Sequence, residues 1–111
     1  MIKNIKKSTL LDLTEEVTYQ DGQGVSKTLS QNENISLTLF SFAEGEEISS
    51  HKSSGDALVQ ILDGEARITI DSVEFFLKKG ESIVMPAQVS HALFAVKPFK
   101  MLLTVIFASG Q

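Results

Sequence analysis

The sequence contains no cysteine and no tryptophan, and only two prolines, two histidines and one tyrosine in 111 residues. Without cysteine there can be no disulfide, no thiolate nucleophile and no zinc site of the cysteine type. No apolar run approaches the ~18 residues of a membrane-spanning helix, so no membrane partner is expected. Positive charge is also scarce. Ten basic residues stand against 14 acidic ones, and a net charge of -4 argues against nucleic acid, whose phosphates call for a basic face. The opening stretch MIKNIKKSTLLDL has lysines but neither a sustained apolar block nor a small-residue cleavage site, so no secretory signal is read and a cytoplasmic location is expected. No glycine-rich phosphate loop is present, and no serine or lysine forms an evident nucleophile–base motif.

With 42% hydrophobic and 22% charged residues, the chain lies in the ordinary globular range and outside the range of disorder. A chain of this length buries roughly two-thirds of its unfolded surface, enough for a core without staples. One domain over residues 1–111 is expected. Residues 1–16 read as an N-terminal arm, or as a helical turn near Thr14-Glu15-Glu16.

The apolar residues alternate or fall in short blocks broken by turn residues, which is the signature of strands. In NISLTLFSF (34–42), Ile35, Leu37 and Leu39 share one face, and Phe40 and Phe42 lie on the other with Ser36 and Thr38. The hairpin LVQIL-DG-EARITI turns at Asp63-Gly64, a dipeptide that tolerates positive φ. Further strands are predicted at 73–78, 82–85, 91–96 and 100–107, with weaker ones at 17–20 and 25–30. Pro86 and Pro98 fall between strands, where a missing N–H interrupts no ladder. The last strand is apolar on both faces: Met101, Leu103, Val105 and Phe107 on one, Leu102 and Ile106 on the other. Its outer face must therefore be covered, by the N-terminal segment or by a second subunit. About nine short strands with no helix between them predict an all-β sandwich or barrel.

Few residues can carry chemistry. His51 and His91 are predicted at strand starts, and imidazole is the commonest metal ligand and the side chain that titrates nearest neutrality. Met85, Phe94 and Met101 sit at strand spacing, where core packing is the plain reading. Gln60, within ALVQIL, falls on the face opposite Ala57. Glu44, Glu46 and Glu47 read as a solvated loop.

The stretch GEEISSHKSSGDALVQILDG (45–64) resembles the first motif of the cupin superfamily, a glycine, five residues, His-x-His, a glutamate and a closing glycine. GESIVMPAQVSHALFA (80–95) resembles the second, a glycine, five residues, Pro-x-Gly, a histidine and an asparagine. Gly45, His51 and Gly64 match the first; Gly80, Pro86 and His91 match the second, with the fifteen-residue gap of compact bacterial cupins between them. The resemblance implies a cupin-type jelly-roll (double-stranded β-helix) barrel, commonly a homodimer. His51 and His91 would then project into one mouth, where Ser53, Ala57 and Met85 would line a small-molecule pocket. In metal-binding cupins two histidines and a glutamate of the first motif join the histidine of the second on one divalent ion (Mn, Fe, Ni or Zn). Here the second histidine position is Ser53, the glutamate position Ala57, the asparagine position Ala95 and the inner glycine position Gln88. Asp56 is the residue that could stand in for the lost carboxylate and form a metal site with His51 and His91.

Three functional readings follow. The first is an enzyme of the metal-dependent dioxygenase, isomerase or decarboxylase type. The second is a non-enzymatic ligand-binding or sensor barrel that has lost its metal. The third is a structural dimerising domain, which would need the mouth filled by side chains.

Overall fold

The strands alternate between two layers, and that alternation decides which side chains meet at the mouth. The structure is a computed structural model describing residues 1–108, so the last three residues of the expected 1–111 domain lie outside the described residues. After a single 3-10 turn at Leu13–Glu16 come nine strands: β1 Gly24–Gln31, β2 Ile35–Phe42, β3 Glu47–His51, β4 Gly55–Asp63, β5 Glu65–Ile70, β6 Val73–Lys78, β7 Ser82–Met85, β8 His91–Ala95 and β9 Phe99–Phe107. One sheet has the order β1-β2-β9-β4-β7 and the other β3-β8-β5-β6. From β2 to β5, and again from β7 to β9, each connection crosses from one sheet to the other. All pairings between these strands are antiparallel. The result is the expected jelly-roll barrel.

The period-2 pattern read from the sequence sets the faces. In β4, Ala57, Val59 and Ile61 are buried while Asp56 is exposed and Leu58 and Gln60 are intermediate. Those inward residues meet Ile68 of β5, Leu93 of β8 and Phe99 and Met101 of β9 in the main core. Phe42 stacks on Phe99 with ring centroids 5.0 Å apart. Each such side chain contributes roughly 1.5–3 kcal/mol by leaving water. The β4–β5 hairpin closes at Gly64 (φ 79°), where a Cβ would run into the Pro98 carbonyl. Only glycine meets both demands.

The larger sheet is also buried on its outer face. Val17, Leu29 and Leu39 form a second cluster there, flanked by Ile5, Leu13, Leu37, Leu62 and Leu102. Leu102, on the outer face of β9, is thus covered by the chain's own N-terminal segment. Hydrogen bonds pin that segment in place: Lys3 N–H to Leu29 O at 2.7 Å, Asn4 Nδ2 to Thr28 O at 2.7 Å and the Tyr19 hydroxyl to Asp63 Oδ2 at 2.6 Å. Further along the same face Val84 and Ile106 remain 54% and 53% exposed.

Two expectations are corrected. Residues 17–20 form no strand, because Val17 is apolar in order to plug the outer cluster rather than to pair in a sheet. Conversely Glu47–His51 is a strand that alternation did not disclose. It is an edge strand exposed at four of five positions, so no hydrophobic pattern marks it. Among the described residues there is no α-helix, and no helix is long and apolar enough to cross a membrane.

Candidate functional site

His51 and His91 face each other across the β3–β8 pair. His91 opens β8 as expected, whereas His51 ends β3 instead of starting a strand. In register, Ile48 lies opposite Leu93 and His51 opposite His91. Two steps along β8 therefore correspond to three along β3, and the surplus residue is taken up in a bulge at Ser49-Ser50. In a regular strand, three steps would turn the imidazole to the opposite face from Ile48. The bulge restores the phase, so Ile48 and His51 both line the same cavity.

The bulge also fixes a tautomer. His51 Nδ1 lies 3.0 Å from Ser49 O. A carbonyl only accepts, so Nδ1 carries the hydrogen and Nε2 presents its lone pair. His91 Nε2 lies 3.0 Å from that atom and donates to it. The rings meet edge to face, centroids 4.3 Å apart. His91 is only 3% exposed, and its Nδ1 is buried without a hydrogen-bond partner. Burial first, and the neighbouring His51 ring second, hold its pKa below the ordinary imidazole value.

Beneath the pair lies a cavity of about 220 Å³. Ala57 and Met85, buried cross-strand partners on β4 and β7, form part of its wall, and Ser53 lies at its rim. Leu93, Leu103 and Val105 contribute apolar surface, as does Met101, which has plain core character as well. Lys52, next to His51, also lines the cavity and went unnoticed in the sequence because a lysine beside a histidine carries no motif. Ser53 serves the turn, its hydroxyl accepting from Gly55 N–H at 3.1 Å.

Asp56 does not join the histidines. Its Oδ1 accepts from Ala87 N–H at 2.8 Å, and it lines a separate surface groove with Ile106 and Phe107. The reason is phase. Ala57 faces the cavity, so its neighbour along the strand faces out. Gly55 gives no freedom to reverse this, because it is packed so closely on the Ile106 carbonyl that a Cβ would clash.

The family pattern described as Cupin domain matches residues 38–107. The chain belongs to the cupin superfamily. It is similar to a solved protein of unknown function from Streptococcus pyogenes, 46% identical with a TM-score of 0.96, over 98% of this chain and 96% of that one. A cupin superfamily protein from Desulfitobacterium hafniense is 33% identical with a TM-score of 0.93, over 97% and 99% of the two chains. A Cupin 2 conserved barrel domain protein from Leptotrichia buccalis is 45% identical with a TM-score of 0.84; this cupin matches it over 86% of its own length and 47% of the relative's. No match is found among curated proteins.

Whether the cupin's own residues suit a metal ion turns on the donor set. Among the described residues, two imidazoles are the only His, Cys, Asp or Glu side chains lining the cavity, and Lys52 lines it too. No three such donors come together among the described residues. A divalent ion wants at least three protein ligands. The residues present do not fit a resident divalent ion of that kind.

Proposed function

We propose that this cupin binds a small, mostly apolar molecule in the barrel mouth, without a resident divalent ion, and sets the molecule's polar end against the His51–His91 pair. The observation that carries this reading is the imidazole pair, Nε2 to Nε2 at 3.0 Å, standing over an apolar-walled cavity of about 220 Å³. An apolar cavity of ~150 Å³ accommodates a benzene ring, so the space suits one substituted ring or a short branched chain. Of the three readings, the ligand-binding barrel that has lost its metal agrees best with Ser53 and Ala57 at the remaining ligand positions. A purely structural dimerising domain would need a filled mouth, and the open cavity speaks against it. A metal-dependent enzyme would need donors beyond the two imidazoles.

The geometry defines what the pair can do to a ligand. The Ser49 carbonyl orients one ring, and the other holds a hydrogen on Nε2 that passes from His51 Nε2 to a ligand acceptor when that inter-ring bond opens. The pair can therefore donate to a ligand acceptor or take up a proton from an acidic group. Screening single-ring compounds by thermal shift, alongside elemental analysis of protein purified without chelator, tests the proposal. Ligand at one hundred times its Kd should stabilise by about 2.7 kcal/mol. One tightly held metal ion per chain, or no stabilisation by any ring compound, would overturn it.

A further inference from the structure

We propose that the ligand of this pocket is a monocarboxylate, its apolar body in the cavity and its carboxylate between Lys52 and the His51–His91 pair; this rests on the ligand-binding reading above. The first observation is the charge of the lining. Among the described residues that line the cavity, Lys52 is the one lysine or arginine, and no Asp or Glu is among them. The nearby acids point elsewhere. Glu47 lines a different groove with Arg67 and Thr69, and Asp56 is bound to Ala87 N–H on the outer surface. A cavity with low-dielectric walls and one uncancelled positive charge favours an anion and repels a cation.

The second observation is the balance of donors and acceptors. A carboxylate offers only acceptors. The polar hydrogens left for a ligand among these residues are those of the Lys52 ammonium and of the Ser53 hydroxyl, whose oxygen already accepts from Gly55 N–H. The His91 Nε2–H is donated to His51 Nε2 and becomes available only when a ligand acceptor takes the place of that ring nitrogen. The His51 Nδ1–H is already committed to the Ser49 carbonyl, so it does not compete for the ligand. The walls of Ile48, Leu93, Leu103 and Val105 offer no polar side chain, which leaves the charged end to Lys52, Ser53 and the histidines.

Benzoate, benzyl alcohol and benzylamine, which share one ring and differ in the charge of the head group, separate the alternatives. Titration calorimetry on the full chain at pH 7 and low salt should show benzoate binding at least tenfold more tightly than benzyl alcohol, and benzylamine most weakly. Lys52→Gln, at an exposed position, should weaken benzoate about tenfold and leave benzyl alcohol unchanged. Equal affinity for benzoate and the alcohol, or equal weakening of both by Lys52→Gln, would overturn the carboxylate assignment while the ligand-binding reading stands. Failure of all three probes to bind would overturn both.

Discussion

His51 and His91 are direct cross-strand partners, 40 residues apart in the chain, and their Nε2 atoms meet at 3.0 Å because β3 holds one residue more than β8 across the same span. Parity is therefore the structural condition of the site. The Ser49 carbonyl, within the bulge, is also the one that fixes the His51 tautomer.

Parity makes a prediction about deletions. Removing Ser50 leaves two steps between Ile48 and the histidine, so the ring should still face His91, but without a bulge carbonyl beside it. Removing both Ser49 and Ser50 leaves one step and should turn the ring to solvent. Long-range ¹H–¹⁵N spectra of the imidazoles check this. The wild type should show the Nδ1–H tautomer at His51, the single deletion a mixture, and the double deletion a histidine uncoupled from His91. An inward ring in the double deletion would contradict the parity argument.

His91 makes folding pH-dependent. Its folded pKa is lowered from the ordinary 6.5 by burial and then by His51. As pH falls through 6.5 the unfolded chain takes up the proton first, so it binds more protons than the native state and stability falls. The contribution is fully present above pH 6.5 and declines until the lower folded pKa is reached. Urea midpoints should therefore be lower at pH 5.5 than at pH 7.5. His91→Leu should flatten that difference, because the buried titrating group is gone. An unchanged slope in His91→Leu would place the dependence elsewhere.

Gln88 stands where the family motif has its inner glycine, and it adopts φ 63°. Its backbone N–H donates to Ser53 O at 2.8 Å, tying the loop before β8 to the loop before β4, while its side chain is exposed. The left-handed conformation costs a residue with a Cβ about 1–2 kcal/mol, and glycine avoids this at the expense of a more flexible unfolded chain. Gln88→Gly should stabilise by about 0.5–1 kcal/mol, a rise of a few degrees in Tm. Gln88→Val should destabilise by more than 1 kcal/mol. Thermal melts of the two variants should thus move in opposite directions.

The parts that were legible in the sequence are those governed by period 2. Val59, Ile61, Ile68 and Met101 face inward as their alternation requires, and the two motifs delivered the histidine pair. The illegible parts involve irregular backbone. The bulge at Ser49-Ser50 has no apolar signature, so β3 went unseen and His51 was placed at the wrong end of a strand. That Asp56 faces away from the histidines is equally invisible in the sequence, since Gly55 before it serves close packing on the Ile106 carbonyl rather than an unusual turn. Val17 looked like part of a strand because an apolar residue that covers a sheet is indistinguishable, in sequence, from one inside it.

The outer cluster separates apolar residues that stabilise from those that merely remain on the surface. Leu39 is fully buried beneath the N-terminal segment, whereas Ile106, also on the outer face of the larger sheet, is 53% exposed. Leu39→Ala should cost about 2–5 kcal/mol, because the pinned segment cannot collapse fully into the space left behind. Val17→Ala should fall at the lower end of that range, having fewer methyl groups to lose. Ile106→Ser should change stability by no more than about 0.5 kcal/mol. Urea unfolding of the three variants checks this order. A large loss in Ile106→Ser, increasing with protein concentration, would show that a second copy buries that side chain in solution, because a self-association contact contributes stability in proportion to how much of the protein is paired.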